Sequence, residues 1–370
     1  MADAEIILTD SRHNGIVALA SGEKYPWAHT ALRESGFQRG EAGIYYLPAN
    51  ESTASRTTVA SLIRCAERHN TTVSVSSRQF IGDMANHVAR LLPGQWDAQV
   101  EIYSHPLWQE DLVPWLWDSG ELGRAVRTTR LPYAATLTNA TTGTGLLLAE
   151  RPGHQRDYLI GAFAPMPLEA GFADPHAPRS VVLPPSPGLA ARAITERYLP
   201  TYDRAVHARS TDAVATALAR LRSEHSTWTA MVASGQYSDA TPLKFDALGS
   251  ATEDLLDNAW RNFLAVLDHA PALLNRCRPA TTPWPEDATA LARLAGALAD
   301  AEAVHEELAS GVPLTRGERA TRTWTPIETW LTHGETFLRQ AHTCTPRVRN
   351  GLAPTATPRA LPPGAPAPRR

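Results

Sequence analysis

Apolar and polar positions alternate with two different periods along this chain. Ile6–Leu8 and Ile16–Ala20 are short apolar runs across a turn-like Asp10–Gly15 segment, a hairpin pattern. A short helix is expected at about Trp27–Ser35 and a strand at Ile44–Leu47. Helical spacing then puts Val59, Leu62, Ile63 and Ala66 on one face of a helix from Ser55 to His69. Val73 and Val75 alternate with polar neighbours as a half-buried strand does, and Phe80, Met84, Val88 and Leu91 return to helical spacing before Pro93–Gly94. Trp96, Ala98, Val100 and Ile102 alternate again with Asp97, Gln99 and Glu101.

The resulting β-α-β-α-β order over about 44–103 predicts a parallel or mixed sheet. Its clean alternation predicts one wet face rather than a sheet covered on both sides, so α+β is favoured over a doubly wound fold. Tyr133–Thr138, Gly145–Ala149 and Tyr158–Phe163, separated by turn residues, predict an antiparallel meander. The proline-rich stretch 164–188 reads as a loop, with a domain boundary near 188.

Beyond that boundary the period is helical throughout. Val214, Leu218, Leu221, His225, Trp228 and Val232 form one stripe. Ser250–Glu253 has the capping-box pattern and is expected to start a central helix; Pro285–Asp287 opens another, with Leu291, Leu294, Leu298, Ala301 and Leu308 as its seam. Thr325–Glu328 reads as a cap with proline in the first helical position. Four or five such helices predict an antiparallel bundle over 189–343. Residues 344–370 hold seven prolines, five arginines and no acid, a composition expected to remain a disordered tail.

Composition sharpens this outline. With 43% hydrophobic and 20% charged residues, the 370-residue chain is of the globular class. No apolar run reaches the roughly 18 residues of a membrane span, and the N-terminus lacks a basic leader, so a cytoplasmic protein without a membrane partner is expected. The whole chain carries −3, so residues 1–343 carry −8 against the tail's +5. Only Lys24 and Lys244 are lysines among 35 basic residues, a bias that GC-rich bacterial codon usage explains more simply than phosphate recognition. Cys65, Cys277 and Cys344 have neither disulfide-framework nor zinc spacing.

The search for chemistry begins with exclusions: no phosphate-binding GxxxxGK[ST], no GxGxxG after a strand, no HExxH and no GxSxG occur. The most unusual stretch is 105–121, where Trp108, Trp115 and Trp117 accompany Glu110 and Asp111. Such a cluster serves either as a binding platform or as a partly desolvated acid–base pair, yet docking three indoles on the sheet is sufficient reason for it. The loops at His154–Asp157 and Asp174–Arg179 offer His154, Asp157, Asp174 and His176 as a second polar cluster. Pro48–Ser55 has hydroxyls but neither glycine nor lysine for a phosphate, and Glu302–His305 lacks the second E-x-x-H that a carboxylate-bridged di-iron bundle requires.

The expectation from sequence is therefore a non-catalytic binding or regulatory protein that acts through protein contacts, with Trp108, Trp115 and Trp117 as its binding residues and with no cofactor or metal. A second copy docking on the bundle is one form such a contact takes. The alternatives are a metal-dependent or acid–base hydrolase using Glu110, Asp111, Asp157 and His176, and a nucleic-acid-binding accessory protein; nucleic acid is disfavoured by the acidic body.

Overall fold

The N-terminal hairpin forms as β1 (Glu5–Ser11) and β2 (Gly15–Ser21), paired from Glu5↔Ser21 to Ser11↔Gly15. The structure is a computed structural model describing residues 4–40, 43–48, 52–166, 168, 174–237, 239, 241–243, 245–276, 285–311 and 315–344. Cys277, residues 49–51 of the Pro48–Ser55 link and the tail beyond Cys344 lie outside the described residues. After the hairpin come α1 (Tyr25–Glu34), β3 (Gln38–Arg39), β4 (Tyr45–Leu47), α2 (Ser52–Arg68) and β5 (Thr72–Gln79). β5 lies parallel to β1 at the edge of a sheet ordered β3-β4-β2-β1-β5, whose other pairs are antiparallel. This is a mixed sheet. Ile6, Leu8, Ala18 and Ala20 bury one face against Ala28 and Leu32 of α1 and Leu62 and Ala66 of α2.

The β-α-β-α-β stretch does not stay in one sheet. After α3 (Ile81–Leu91), β6 (Trp96–Ile102) leaves the first sheet and pairs antiparallel with β8 (Tyr133–Asn139). Between them run α4 (Pro106–Glu110), β7 (Leu116–Trp117) and α5 (Glu121–Thr128). The meander continues through β9 (Gly145–Glu150) and β10 (Tyr158–Phe163). β11 (Val181–Leu183), within the stretch read as loop, pairs with Tyr158–Ile160 and completes the order β11-β10-β9-β8-β6. β7 pairs with Ala162–Phe163 further along β10.

The centre of this sheet lies outside the stretch 44–103 for which one wet face is expected, and it is built differently. Leu146, Leu148, Ile160 and Ala162 join the core that contains α3, while Leu147, Ala149 and Leu159 pack with Leu122 and Val126 of α5 on the other face. The sheet is covered on both sides there, because Leu146–Ala149 and Leu159–Ala162 are unbroken small and apolar runs. Alternation with a wet face describes only the outer strands β5 and β6.

α6 (Pro187–Ala193) leads through a single π-helical turn, Ile194–Tyr198, into α7 (Leu199–Ser234). Ala190, Ile194, Tyr198 and Tyr202 belong to the core of the second sheet, and Val214, Leu218 and Leu221 to that of the bundle. The stripe expected to run to Val232 is therefore buried only as far as Leu221. α7 ends at Gly235, whose left-handed φ of +66° a glycine adopts without strain.

α8 (Phe245–Arg276), α9 (Pro285–Ala309) and α10 (Arg316–Thr343) complete the bundle around Phe263, Leu294, Ile327, Trp330 and Phe337. Two expected helix starts prove to be interior. Ser250–Glu253 lies inside α8, and Glu253 pairs with Arg316 instead of capping. Thr325–Glu328 lies inside α10, which starts at a capping box formed by Thr315 and Glu318. The Thr325 hydroxyl donates back to the Thr321 carbonyl, and Pro326 is buried, so packing offsets the missing backbone donor. Among the described residues no helix is long and apolar enough to cross a membrane.

Candidate functional site

The segment 105–118 is held at its two ends and exposed between them. His105 caps α4, its Nδ1 accepting from the Leu107 N–H at 3.2 Å. Gln109, rather than the neighbouring acids, is the residue this helix buries. Its amide donates to the carbonyls of Val126 and Thr129, both at 2.7 Å, and its oxygen accepts from the Leu131 N–H at 2.7 Å and from Arg130 at 3.0 Å. With the buried side satisfied, Leu107 and Trp108 face outward at 57% and 44% exposure.

A turn closes on the Leu112 carbonyl, which accepts from the N–H groups of Trp115 at 3.1 Å and Leu116 at 3.0 Å. That turn rotates Trp115 into solvent, 66% exposed, before β7 begins. Trp117, expected with Trp108 and Trp115 as a binding residue, docks into the fold instead. It is buried, donates from Nε1 to Asp174 at 3.1 Å and meets Tyr202 of α7 edge-on at 6.0 Å.

The buried Asp118 carboxylate anchors the chain after β7, accepting from the N–H groups of Gly120, Gly123 and Ser180 and so tying α5 to the start of β11. Burial raises its pKa despite these bonds. Asp174 is a similar hub: besides Trp117 it takes Arg209 of α7 at 3.0 Å and the His176 N–H at 2.9 Å.

The four candidate catalytic residues stay apart in their contacts. Glu110 and Asp111 are exposed at the end of α4. Asp157 pairs with Arg151 at 3.4 Å and approaches His154 at 3.9 Å, whereas His176 pairs with Asp212 at 2.7 Å. No hydrogen bond or ion pair among the described residues joins any two of the four. Nor, among the described residues, do three His, Cys, Asp or Glu side chains converge as metal ligands.

Two cavities lie beside this region. One, of about 360 Å³, is lined by Arg78, Arg130, Tyr133 and Glu150. Its arginines are engaged: Arg78 faces Glu150 at 2.9 Å and also donates to the carbonyls of Arg151, His154 and Gln155. Arg130 donates to the carbonyls of Tyr103 and Ser104 and to Gln109. Burial raises the pKa of Glu150, opposed by Arg78 and the Tyr133 hydroxyl that donates to it at 2.9 Å. This is a half-buried strut between the two sheets.

The other cavity, of about 580 Å³, opens between α1, the β3–β4 end of the first sheet and α4. Trp108 and Tyr25 form one wall with ring centres 5.2 Å apart, and Tyr25 meets His29 edge-on at 5.5 Å. Arg39 and the buried Ser104 also line it. Burial first, then the charges of Arg39 and Arg33, lowers the pKa of His29 and keeps its ring neutral at physiological pH. Of these residues the sequence singled out Trp108 alone. Tyr25, Trp27 and His29 in α1 were the available signal, an aromatic cluster in a short helix.

The fold and this exposed aromatic segment define a class: an α+β unit with two sheets, followed by a four-helix array, with a ring-lined surface at α1 and α4. Compared with models of known protein families, with curated proteins and with solved structures, the chain matches none of them.

Proposed function

We propose that this chain is a non-catalytic binding protein whose contact surface is the Leu107–Trp115 segment, and that its partner is a protein presenting an apolar anchor flanked by Lys or Arg. The observation that carries the reading is Trp115, 66% exposed although the chain is hydrogen-bonded on both sides of it. An indole held rigidly in water loses little conformational freedom on binding, which is why tryptophan dominates contact hot spots. Leu107 at 57% and Met166 at 90% add exposed apolar surface, Met166 lying two residues beyond Ala164, whose N–H donates to the Trp115 carbonyl. Glu110 and Asp111 are exposed on the same segment, and neither is in an ion pair among the described residues, which favours basic flanks on the partner.

The test is a native pull-down with the immobilised full chain and its Trp115→Ser variant. Loss of a hot-spot tryptophan costs about 2 kcal/mol or more, so at least one partner bound by the parent should bind the variant roughly 30-fold more weakly. Cross-links from that partner should map to a basic, apolar stretch. Identical capture by both proteins refutes the proposal.

A further inference from the structure

We infer that the cavity between α1, β3–β4 and α4 is a small-molecule site for a planar ring carrying an anionic group, a role distinct from the protein contact proposed above although Trp108 belongs to both surfaces. Its walls converge on that chemistry. Trp108 and Tyr25 supply ring faces, and Trp108 stays 44% exposed, so a planar ligand has an uncovered indole on which to stack. Arg39 lines the cavity, and its charge and that of Arg33 are both felt at His29 in the lining and at Tyr45 beside it, so the field inside is positive. No carboxylate is paired with Arg39 among the described residues. Ser104 is only 3% exposed yet lines the space, and its hydroxyl has no hydrogen bond among the described residues, which leaves a polar group for the ligand's edge.

The volume, about 580 Å³, is in the range of sites that enclose small ligands. A neutral apolar ligand would leave the guanidinium field unused, and a bare anion would leave the ring wall unused. A ring with an anion answers both. The anion has two sources, phosphate and carboxylate, which the experiment separates.

Isothermal titration of the full chain with AMP, indole-3-acetate, adenosine and inorganic phosphate tests this. At least one of AMP and indole-3-acetate should bind, the tighter of the two identifying the anion. Adenosine and phosphate should each bind at least about 10-fold more weakly, the equivalent of one lost charge contact or stacking contact. Arg39→Gln and Trp108→Leu, both at exposed side chains, should each weaken the bound probe about 10-fold while the melting temperature stays unchanged. Failure of both ringed anions to bind overturns the inference. So does adenosine binding as tightly as AMP where AMP binds, or binding that both variants leave intact.

Discussion

Asp118→Ala should loosen the anchor that presents the aromatic segment, by an amount the structure allows one to work out. The carboxylate accepts from Gly123 N–H at 2.6 Å in a fully buried position, from Gly120 N–H at 3.1 Å and from Ser180 N–H, the last two only partly buried. Because burial raises the pKa of this carboxyl, its hydrogen bonds do not fully repay the loss of water, and removing the charge is not the main cost. The cost is three orphaned donors. A buried donor left unpaired costs about 1–3 kcal/mol; taking ~2 for Gly123 and ~0.5 for each of the others, which regain water, gives about 3 kcal/mol. At 1.36 kcal/mol per tenfold, amide exchange at Gly123 should accelerate roughly 150-fold, with smaller gains at Gly120 and Ser180. Hydrogen exchange read by mass spectrometry over 118–123 measures this directly. Asp118→Asn keeps one acceptor oxygen and should fall between parent and alanine. Acceleration below about 5-fold in the alanine variant would refute the assignment of Asp118 as the anchor.

Arg78→Gln should cost about 3–5 kcal/mol, since it leaves Glu150 buried without a counter-charge and releases three carbonyls; Arg78→Lys should not rescue it, because an ammonium cannot span the same fork of acceptors. Chemical denaturation measures both variants, and a lysine variant as stable as the parent would disprove the strut. For pH dependence, His29, His207 and His269 all have pKa values lowered, first by burial. His207 shows why: its Nε2–H donates to the Ala341 carbonyl at 2.8 Å, leaving Nδ1 buried and unpartnered, so a second proton would have no acceptor. Below about pH 6.5 the unfolded chain then binds more protons than the folded one, and stability falls as pH falls. The raised carboxyls of Asp118, Glu150 and Asp203 oppose this at lower pH, where the folded state takes up their protons first. The urea midpoint should therefore drop between about pH 7.5 and about pH 6, less steeply in His207→Gln; a flat or rising midpoint would contradict the reading.

The longer strands and helices were legible in the sequence, β8–β10 as short apolar runs between turn residues and α9 by the helical spacing of its seam. What misled was local chemistry with two uses. Thr325–Pro326 satisfies the rule for a helix start, yet a buried proline inside α10 satisfies the same residues once Thr315 and Glu318 cap the helix a full ten residues earlier. Trp115 and Trp117, two apart, would share a face of a strand, but the turn on Leu112 ends only at Leu116, so one indole is solvated and the other buried. The aromatic cavity was not legible, because its walls come from α1 and α4, some eighty residues apart, and are joined by the Tyr25–Trp108 ring contact and by the Gly22 N–H that donates to the Ser104 carbonyl. No local period encodes that contact.

The fold shows what several of the arginines do. A chain with two lysines in 35 basic residues invites a nucleic-acid reading. In the fold, however, arginines are engaged with carboxylates: Arg151 with Glu121, Arg209 with Asp174, Arg322 with Glu307 and Arg339 with Asp287. Others clamp backbone carbonyls, as Arg78 and Arg130 do, work that needs several donors in a fixed plane and that lysine cannot perform. Arg192 and Glu196, one helical turn apart on the surface, form a pair in which lysine would serve equally. A guanidinium whose charge is already paired with a carboxylate, or whose fork is spread over several carbonyls, is a weaker partner for phosphate than one with no such contact. The arginines that matter for recognition are then those with an open face toward a cavity, and among the residues lining the aromatic cavity that description fits Arg39.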